Sequence, residues 1–195
     1  MPDQPLELII CTTAGYLLGS VMGAFWVCRI FRLPDPTNSG SGNPGATNIY
    51  RLGGWLPAAL TLLWDAAKGA IAIFITIWLS LSPYEQGVVA VAAIMGHMLP
   101  VFHHFKGGKG VATVLGCGLV LAWQTTVILA LVWGAIIYWK RVSSIASLTS
   151  ALLAPWIAWA FNPEYSALFM SLALFILIRH RENIINLAKG NERSL

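Results

Sequence analysis

The feature that most constrains this chain is a series of apolar runs, each near the length at which a helix crosses a bilayer. A crossing helix takes about 20 mainly apolar residues, fewer where neighbouring helices shield it. Five stretches meet or approach that length, at 6–28, 55–81, 88–104, 124–139 and 164–179, and two weaker ones lie at 111–123 and 143–161. Composition agrees. Apolar residues make up 57% and charged residues 10%, whereas soluble domains carry about 25% charged residues. So few charges cannot cover a water-facing surface, and the bilayer must be the solvent. The expected fold is an all-α integral membrane protein, a single domain over 1–195, with seven transmembrane helices and five as the fallback.

Charge sets the expected orientation. With an external N-terminus, seven crossings gather Arg29, Arg32 and Arg51, then Lys106 and Lys109, then Lys140 and Arg141, then Arg179, Arg181, Lys189 and Arg193 on the cytoplasmic side. The external connections hold Asp3, Glu7, Glu85 and Glu164 and no Lys or Arg. Basic residues favour cytoplasmic loops, so the N-terminus is expected outside and the C-terminus in the cytoplasm. The net charge of +4 is accounted for by this bias, and no nucleic-acid partner is expected. No basic residue precedes the first apolar run and no small-residue cleavage pattern follows it, so no removed signal peptide is expected.

Several residues read as packing or anchoring groups. Gly15, Gly19 and Gly23 have small-x-x-x-small spacing, as do Ala112 and Gly116, which suits close helix approach. Trp55, Trp123, Trp139, Trp156 and Trp159 fall near expected span ends, where indole rings suit the interface. Cys11, Cys28 and Cys117 lie in apolar stretches without a C-x-x-C pair and read as small core residues.

The polar residues collect in three segments on the expected cytoplasmic side. The first is Ser39-Gly40-Ser41-Gly42-Asn43-Pro44-Gly45-Ala46-Thr47-Asn48, with Arg51 beyond it. Glycines let a backbone turn tightly and present N–H groups to an anion. Thr47 and Asn48 can begin a helix whose first amides favour phosphate, and Arg51 can grip phosphate oxygens in a bidentate manner. A flexible hydrophilic linker is the plain alternative. No G-x-x-x-x-G-K-[ST] sequence occurs, so this is not a nucleotide P-loop.

The second segment runs from Gly96 and His97 to Lys106-Gly107-Gly108-Lys109-Gly110. It offers two ammonium groups on a pliant backbone, or else a basic anchor for anionic lipid headgroups. His97 lies inside a span, where an ionisable residue is a functional suspect, while His103 and His104 read as solvated interfacial groups. No carboxylate or thiolate completes a metal set with these histidines, so neither a metal nor another cofactor is expected. The third segment is Arg179 to Glu192, in which His180 and Asn183 share a face if helical. Within the second span, Asp65 and Lys68 are three apart and can pair. That pairing is either a structural lock between helices or a support behind the phosphate site.

Together these segments resemble the sequence blocks of the bacterial acyl-phosphate:glycerol-3-phosphate acyltransferase family. The matching stretches are Ser41 to Arg51, Gly96-His97-x-x-Pro100-Val101-Phe102-x-x-Phe105 to Thr113, and His180-Arg181-x-Asn183. They occur in order over nearly the whole chain. The resemblance implies a multi-pass enzyme of the bacterial cytoplasmic (inner) membrane, with its active site facing the cytoplasm. The implied reaction transfers a long-chain acyl group from acyl phosphate to glycerol 3-phosphate without a metal. Its product, 1-acyl-glycerol 3-phosphate (lysophosphatidic acid), is the first in phospholipid synthesis. By position, the resemblance makes Gly42, Asn43, Gly45, Ala46, Thr47 and Asn48 the acyl phosphate loop. It makes Ser41, Arg51, Lys109, His180 and Asn183 the catalytic set contacting glycerol 3-phosphate, with Lys106, Gly107, Gly108 and His97 as further substrate-binding residues. Expected partners are membrane lipids and the soluble enzyme that makes acyl phosphate.

The residues suit that chemistry. Two phosphorylated substrates held together need Arg, Lys and backbone amides to offset their repulsion. Acyl phosphate is a mixed anhydride with a good leaving group, so alignment can replace an enzyme nucleophile. No G-x-S-x-G elbow and no His-x-x-x-x-Asp pair is present. The proton of the attacking hydroxyl goes either to the acceptor phosphate, whose second pKa is about 6, or to His180. A transporter of an organic phosphate shares the hydropathy, but it calls for polar groups through the spans and an internal repeat. A scaffold for anionic lipids leaves the glycine motif unexplained.

Overall fold

The computed structural model describes residues 5–195, so the expected external placement of Asp3 lies outside the described residues. Among the described residues the chain is helical and without strands, in two compact units, one running to Leu121 and one over Ala122–Leu195. The first unit contains α1 (Pro5–Gly19), α2 (Gly23–Ile30), α3 (Ala46–Gly53), α4 (Trp55–Trp78), α5 (Pro83–Met98), a 3-10 turn at Val101–His103 and α6 (Val111–Leu121). The second contains α7 (Trp123–Lys140), α8 (Ser143–Phe161), a 3-10 turn at Pro163–Tyr165, α9 (Ser166–Arg179) and α10 (Arg181–Ala188).

Four stretches are long and apolar enough to cross a membrane unaided: Pro5–Ile30, Trp55–Trp78, Pro83–His103 and Ser143–Phe161. The weaker stretch at 143–161 thus forms a full-length helix. The other weak stretch gives α6, whose 11 residues rise only about 16 Å at 1.5 Å per residue, short of a hydrocarbon core of about 30 Å. Large apolar side chains such as Leu63, Phe74, Leu131 and Leu152 are exposed, the surface a lipid-facing protein presents. Trp55, Trp123, Trp139, Trp156 and Trp159 are all exposed near helix ends, in keeping with anchoring. Cys11, Cys28 and Cys117 are buried thiols.

In the first unit α4 packs on α6 and α1 on α5, and both crossings depend on glycine. A Cβ on Gly19 would overlap the backbone of Ala93, one on Gly96 the carbonyl of Tyr16, and one on Gly116 the carbonyl of Ala66. Without a strong hydrophobic drive between helices in lipid, such close backbone approach is how dispersion accumulates. Gly23 meets Trp64 instead of another helix backbone. In the second unit α8 packs on α7 and α9.

Two element boundaries differ from expectation for identifiable reasons. The first span is not continuous, because Ser20–Met22 separate α1 from α2. A break leaves backbone groups without helical partners, which hydrocarbon does not tolerate. Here α4 supplies them: the Gly23 N–H donates to Asp65 Oδ1 at 3.3 Å. Lys68 Nζ and Trp64 Nε1 donate to the Val21 carbonyl at 3.1 and 3.2 Å. Asp65 and Lys68 pair at 2.8 Å with both side chains almost wholly buried. The pair anticipated from their spacing therefore forms, and it seals the helix break. The second difference is α5, which begins at Pro83 ahead of the expected 88. Ser82 and Glu85 form a capping box in which Ser82 Oγ accepts the Glu85 N–H and Glu85 Oε2 accepts the Ser82 N–H, satisfying helix-start donors reciprocally. Glu85, expected in a connection, is a buried helix residue.

Candidate active site

The first polar segment folds around one side chain. Asp35 Oδ1 accepts the Thr37 N–H at 2.8 Å and the Thr37 hydroxyl at 2.6 Å, a local turn that starts the loop. These two bonds, hydroxyl first, hold the exposed Asp35 carboxyl below its usual range, and the positive charge of Lys106 adds to the effect. The chain then reverses through Gly40 and Gly42, with φ of 65° and 72°. Asn48 closes the loop from beneath. Its Oδ1 accepts the Ser41 N–H at 2.8 Å, and its Nδ2 donates to the Pro36 and Ser39 carbonyls, each at 3.0 Å. Asn48 is 1% exposed, so it shapes the loop from the inside while Ser41 and Gly42 stay exposed.

Helix α3 starts at Ala46, where the sequence places a phosphate-favouring helix start. Its N-cap, Gly45, provides no side-chain cap, and the Asn48 N–H turns back to the Gly45 carbonyl at 2.9 Å, so the Ala46 and Thr47 amides open toward the loop without a competing hydroxyl or carboxylate. Asn43 lies over Gly45, close enough that a Cβ there would press on its Nδ2. Arg51 sits four residues after Thr47 and shares its face. The opposite face, carrying Asn48 and Ile49, is buried, with Ile49 packed against Ala24, Val27 and Cys28.

The second segment leaves α5 through a turn tied to α1 by the Tyr16 hydroxyl, which donates to the Leu99 carbonyl at 2.8 Å. His104 and Phe105 both take positive φ, 51° and 59°, an uncommon conformation for residues with side chains. His103 is half-buried and stacks on Phe25 with ring centroids 4.1 Å apart, where a solvated residue was expected. The chain then returns over the end of α5. The Gly108 N–H donates to the His97 carbonyl at 3.1 Å. A Cβ on Gly107 would overlap that same carbonyl, and one on Gly108 would overlap His97 Nε2. Glycine is required at both positions because the turn lies directly on His97. Lys106 is exposed and Lys109 half-buried. The influence of Lys106 on Asp35 sets the first two segments in one electrostatic neighbourhood.

The third segment belongs to the second unit. His180 joins α9 to α10 and is 2% exposed. Its Nδ1 lies 2.8 Å from the Ile176 carbonyl. A carbonyl only accepts, so Nδ1 carries the hydrogen, and in the neutral ring Nε2 is the acceptor. Asn183, on the first turns of α10, donates from Nδ2 to Glu192 Oε1 at 2.6 Å, and the same oxygen accepts the Ser144 hydroxyl at 2.8 Å. The Leu195 N–H donates to the Arg141 carbonyl at 2.7 Å. The C-terminal segment thus folds back on the α7–α8 turn and holds Asn183 in place.

Sequence reasoning missed three supports of these residues. Asp35-Pro36-Thr37 had a local signal, a carboxylate two residues before a hydroxyl. Glu192 and Ser144 had none, since they meet across a separation of 48 residues. Lys68 meets His97 from another helix, with Nζ 3.0 Å from Nδ1.

The model of the family described as glycerol-3-phosphate acyltransferase matches residues 9–190 of this chain. A glycerol-3-phosphate acyltransferase of Hahella chejuensis is 74% identical over 193 residues, covering 99% of this chain and 100% of its own. One from Idiomarina loihiensis is 43% identical over 189 residues, covering 97% and 96%. The crystal structure of PlsY (YgiH), an integral membrane glycerol 3-phosphate acyltransferase, is similar in its glycerol 3-phosphate form with a TM-score of 0.90 at 33% identity, covering 96% of this chain and 95% of that one. Its lysophosphatidic acid form gives 0.87 at 32% identity, with the same coverage.

Proposed function

The chain belongs to the glycerol-3-phosphate acyltransferase family, and on that premise we propose that it transfers a fatty acyl group from acyl phosphate to glycerol 3-phosphate, giving 1-acyl-glycerol 3-phosphate. It is an integral membrane protein. The proposal includes seven crossings, an external N-terminus, a cytoplasmic C-terminus and a site open to the cytoplasm of the inner membrane. The observation that carries it is the loop before α3. One buried side chain pins that loop, glycines bend it, and it opens into an uncapped helix start with Arg51 on the following turn.

In the reaction the primary hydroxyl of glycerol 3-phosphate attacks the carbonyl carbon of acyl phosphate. A new ester C–O bond forms, the carbonyl C–O bond to phosphate breaks, and inorganic phosphate leaves with that electron pair. The loop from Gly42 to Asn48 holds the acyl phosphate through the N–H groups of Asn43, Ala46 and Thr47, since Pro44 has none and those of Gly42, Gly45 and Asn48 donate to the Ser39, Asn43 and Gly45 carbonyls. Ser41, Arg51, Lys109, His180 and Asn183 hold glycerol 3-phosphate, with Lys106 adding positive field. Alignment of hydroxyl and carbonyl provides most of the acceleration. The hydroxyl proton passes to the acceptor's own phosphate. His180 would be the rival acceptor, through Nε2, because Nδ1 is committed to Ile176.

Binding and turnover of labelled glycerol 3-phosphate by Arg51→Ala and His180→Gln test the proposal. Each variant should weaken binding by roughly tenfold to hundredfold, the value of a charged hydrogen bond of about 1.5–3 kcal/mol. Unchanged affinity in both would remove these residues from the site. If His180→Gln kept its affinity and lost turnover, the proton would go to His180 and not to the substrate.

A further inference from the structure

Asp65, Lys68 and His97 make one buried cluster, of which only His97 stands among the substrate-binding residues expected from the resemblance. Their side chains are 1%, 2% and 3–4% exposed, within two stretches long enough to cross a membrane. Ionisable groups at such depth are costly unless every charge and donor is met. Lys68 is met completely: its three N–H groups face Asp65 Oδ1 at 2.8 Å, the Val21 carbonyl at 3.1 Å and His97 Nδ1 at 3.0 Å.

That geometry decides the state of the His97 ring. An ammonium only donates, so Nδ1 must accept and cannot carry a hydrogen. The ring is neutral, with its hydrogen on Nε2. The Asp65 carboxylate is 3.6 Å from Nδ1, farther than the Lys68 ammonium at 3.0 Å, so the shorter contact takes that edge. Nε2 is the ring atom that meets Gly108, and the His97 carbonyl receives the Gly108 N–H. Both ends of His97 therefore bear on the turn that carries Lys106 and Lys109. The ion pair fixes the ring behind that turn, and the two glycines let the turn rest on it.

We propose that Asp65 and Lys68 are positioning residues for the transfer reaction: by holding His97 as its Nε2–H tautomer against Gly108, they fix the 106–109 turn and with it the placement of Lys109. This rests on Lys109 meeting a substrate phosphate. A misplacement of about 1 Å at such a site costs about 10²-fold in rate, whereas a pair that only seals the α1–α2 break would leave the tautomer of His97 without consequence.

The test combines a substrate-free spectrum with kinetics on the full-length protein in micelles. Nitrogen-15 NMR of histidine-labelled protein should show His97 as a single Nε2–H tautomer, and Lys68→Met should convert it to a mixture. A glutamine amide can place N–H where Nε2 stood, so His97→Gln should retain clearly more of the parent's kcat/KM than His97→Leu. His97→Leu should lose about 10²-fold, with a raised KM for glycerol 3-phosphate and a monodisperse, folded protein. An unchanged tautomer in Lys68→Met, or full activity in His97→Leu, overturns the proposal. If Lys68→Met fails to fold, Asp65→Asn/Lys68→Met, which leaves no unpaired charge, replaces it; failure of that variant too assigns the pair to bundle stability and overturns the proposal. Since the tautomer is read without substrate, a parent protein lacking acyltransferase activity would defeat the functional proposal and leave the spectroscopic result standing on its own.

Discussion

The side-chain oxygen of Asn48 accepts the backbone N–H of Ser41 at 2.8 Å, while its amide nitrogen donates to the carbonyls of Pro36 and Ser39. One buried side chain thus closes the loop on both sides. Asn48→Ala leaves three backbone groups to find water or stay unpaired, a cost of about 1–3 kcal/mol for each one left buried. Its thermal midpoint should fall, and its KM for both substrates should rise. Asn48→Asp keeps the acceptor for Ser41 but turns a carboxylate toward two carbonyls, so it should be at least as damaging. A steady-state titration of each substrate checks both.

Glycine substitutions should divide sharply by position. At Gly40 the backbone has φ of 65° and a Cβ would overlap Asn48 Oδ1. At Gly134, in α7, a Cβ would have nothing within 4 Å of it. Gly40→Ala should lose most activity, while Gly134→Ala should be active and slightly more stable, by about 0.5–1 kcal/mol from helix propensity. Melting curves and turnover for the pair would show the contrast.

Glu192 is expected to matter without touching substrate. Its Oε1 holds both Asn183 and the Ser144 hydroxyl. Glu192→Ala should release Asn183 and raise the KM for glycerol 3-phosphate by about tenfold, the loss of one charged hydrogen bond, with kcat less affected. Equal KM values in Glu192→Ala and the parent would show that Asn183 needs no such support.

The pH response of the first loop follows from Asp35. Its carboxyl is held below its ordinary value of 3.8 by the Thr37 hydroxyl and N–H and by Lys106. A depressed folded-state pKa contributes stability that is present above the ordinary value and is lost as pH falls through the folded one. Asp35→Asn should therefore melt slightly below the parent at neutral pH, and the gap should close in acid below 3.8. The group is exposed, so the gap is small. Paired melts from neutral pH into that acid range measure it.

Much of the fold was legible because lipid imposes a simple rule. Where the solvent is hydrocarbon, apolar length marks helices, and the stretch at 143–161 emerged as α8 with both boundaries as expected. The start of α3 was legible too, from a glycine-rich run ending in Thr47 and Asn48. Spacing announced the Asp65–Lys68 pair and left its use open between a lock and a support, because nothing local says that the first span would break opposite it. The Ser82-x-x-Glu85 cap was written in the sequence and was overshadowed by the apolar run that follows. Glu192 with Ser144, and Lys68 with His97, meet only once helices are packed, and no local spacing encodes such meetings.

The central claim concerns the acyl donor, and one assay addresses it. Purified protein is given labelled glycerol 3-phosphate with either palmitoyl phosphate or palmitoyl-CoA, and labelled lysophosphatidic acid is measured. Product with palmitoyl phosphate alone is the predicted result. Product with palmitoyl-CoA, or none with palmitoyl phosphate, would contradict it.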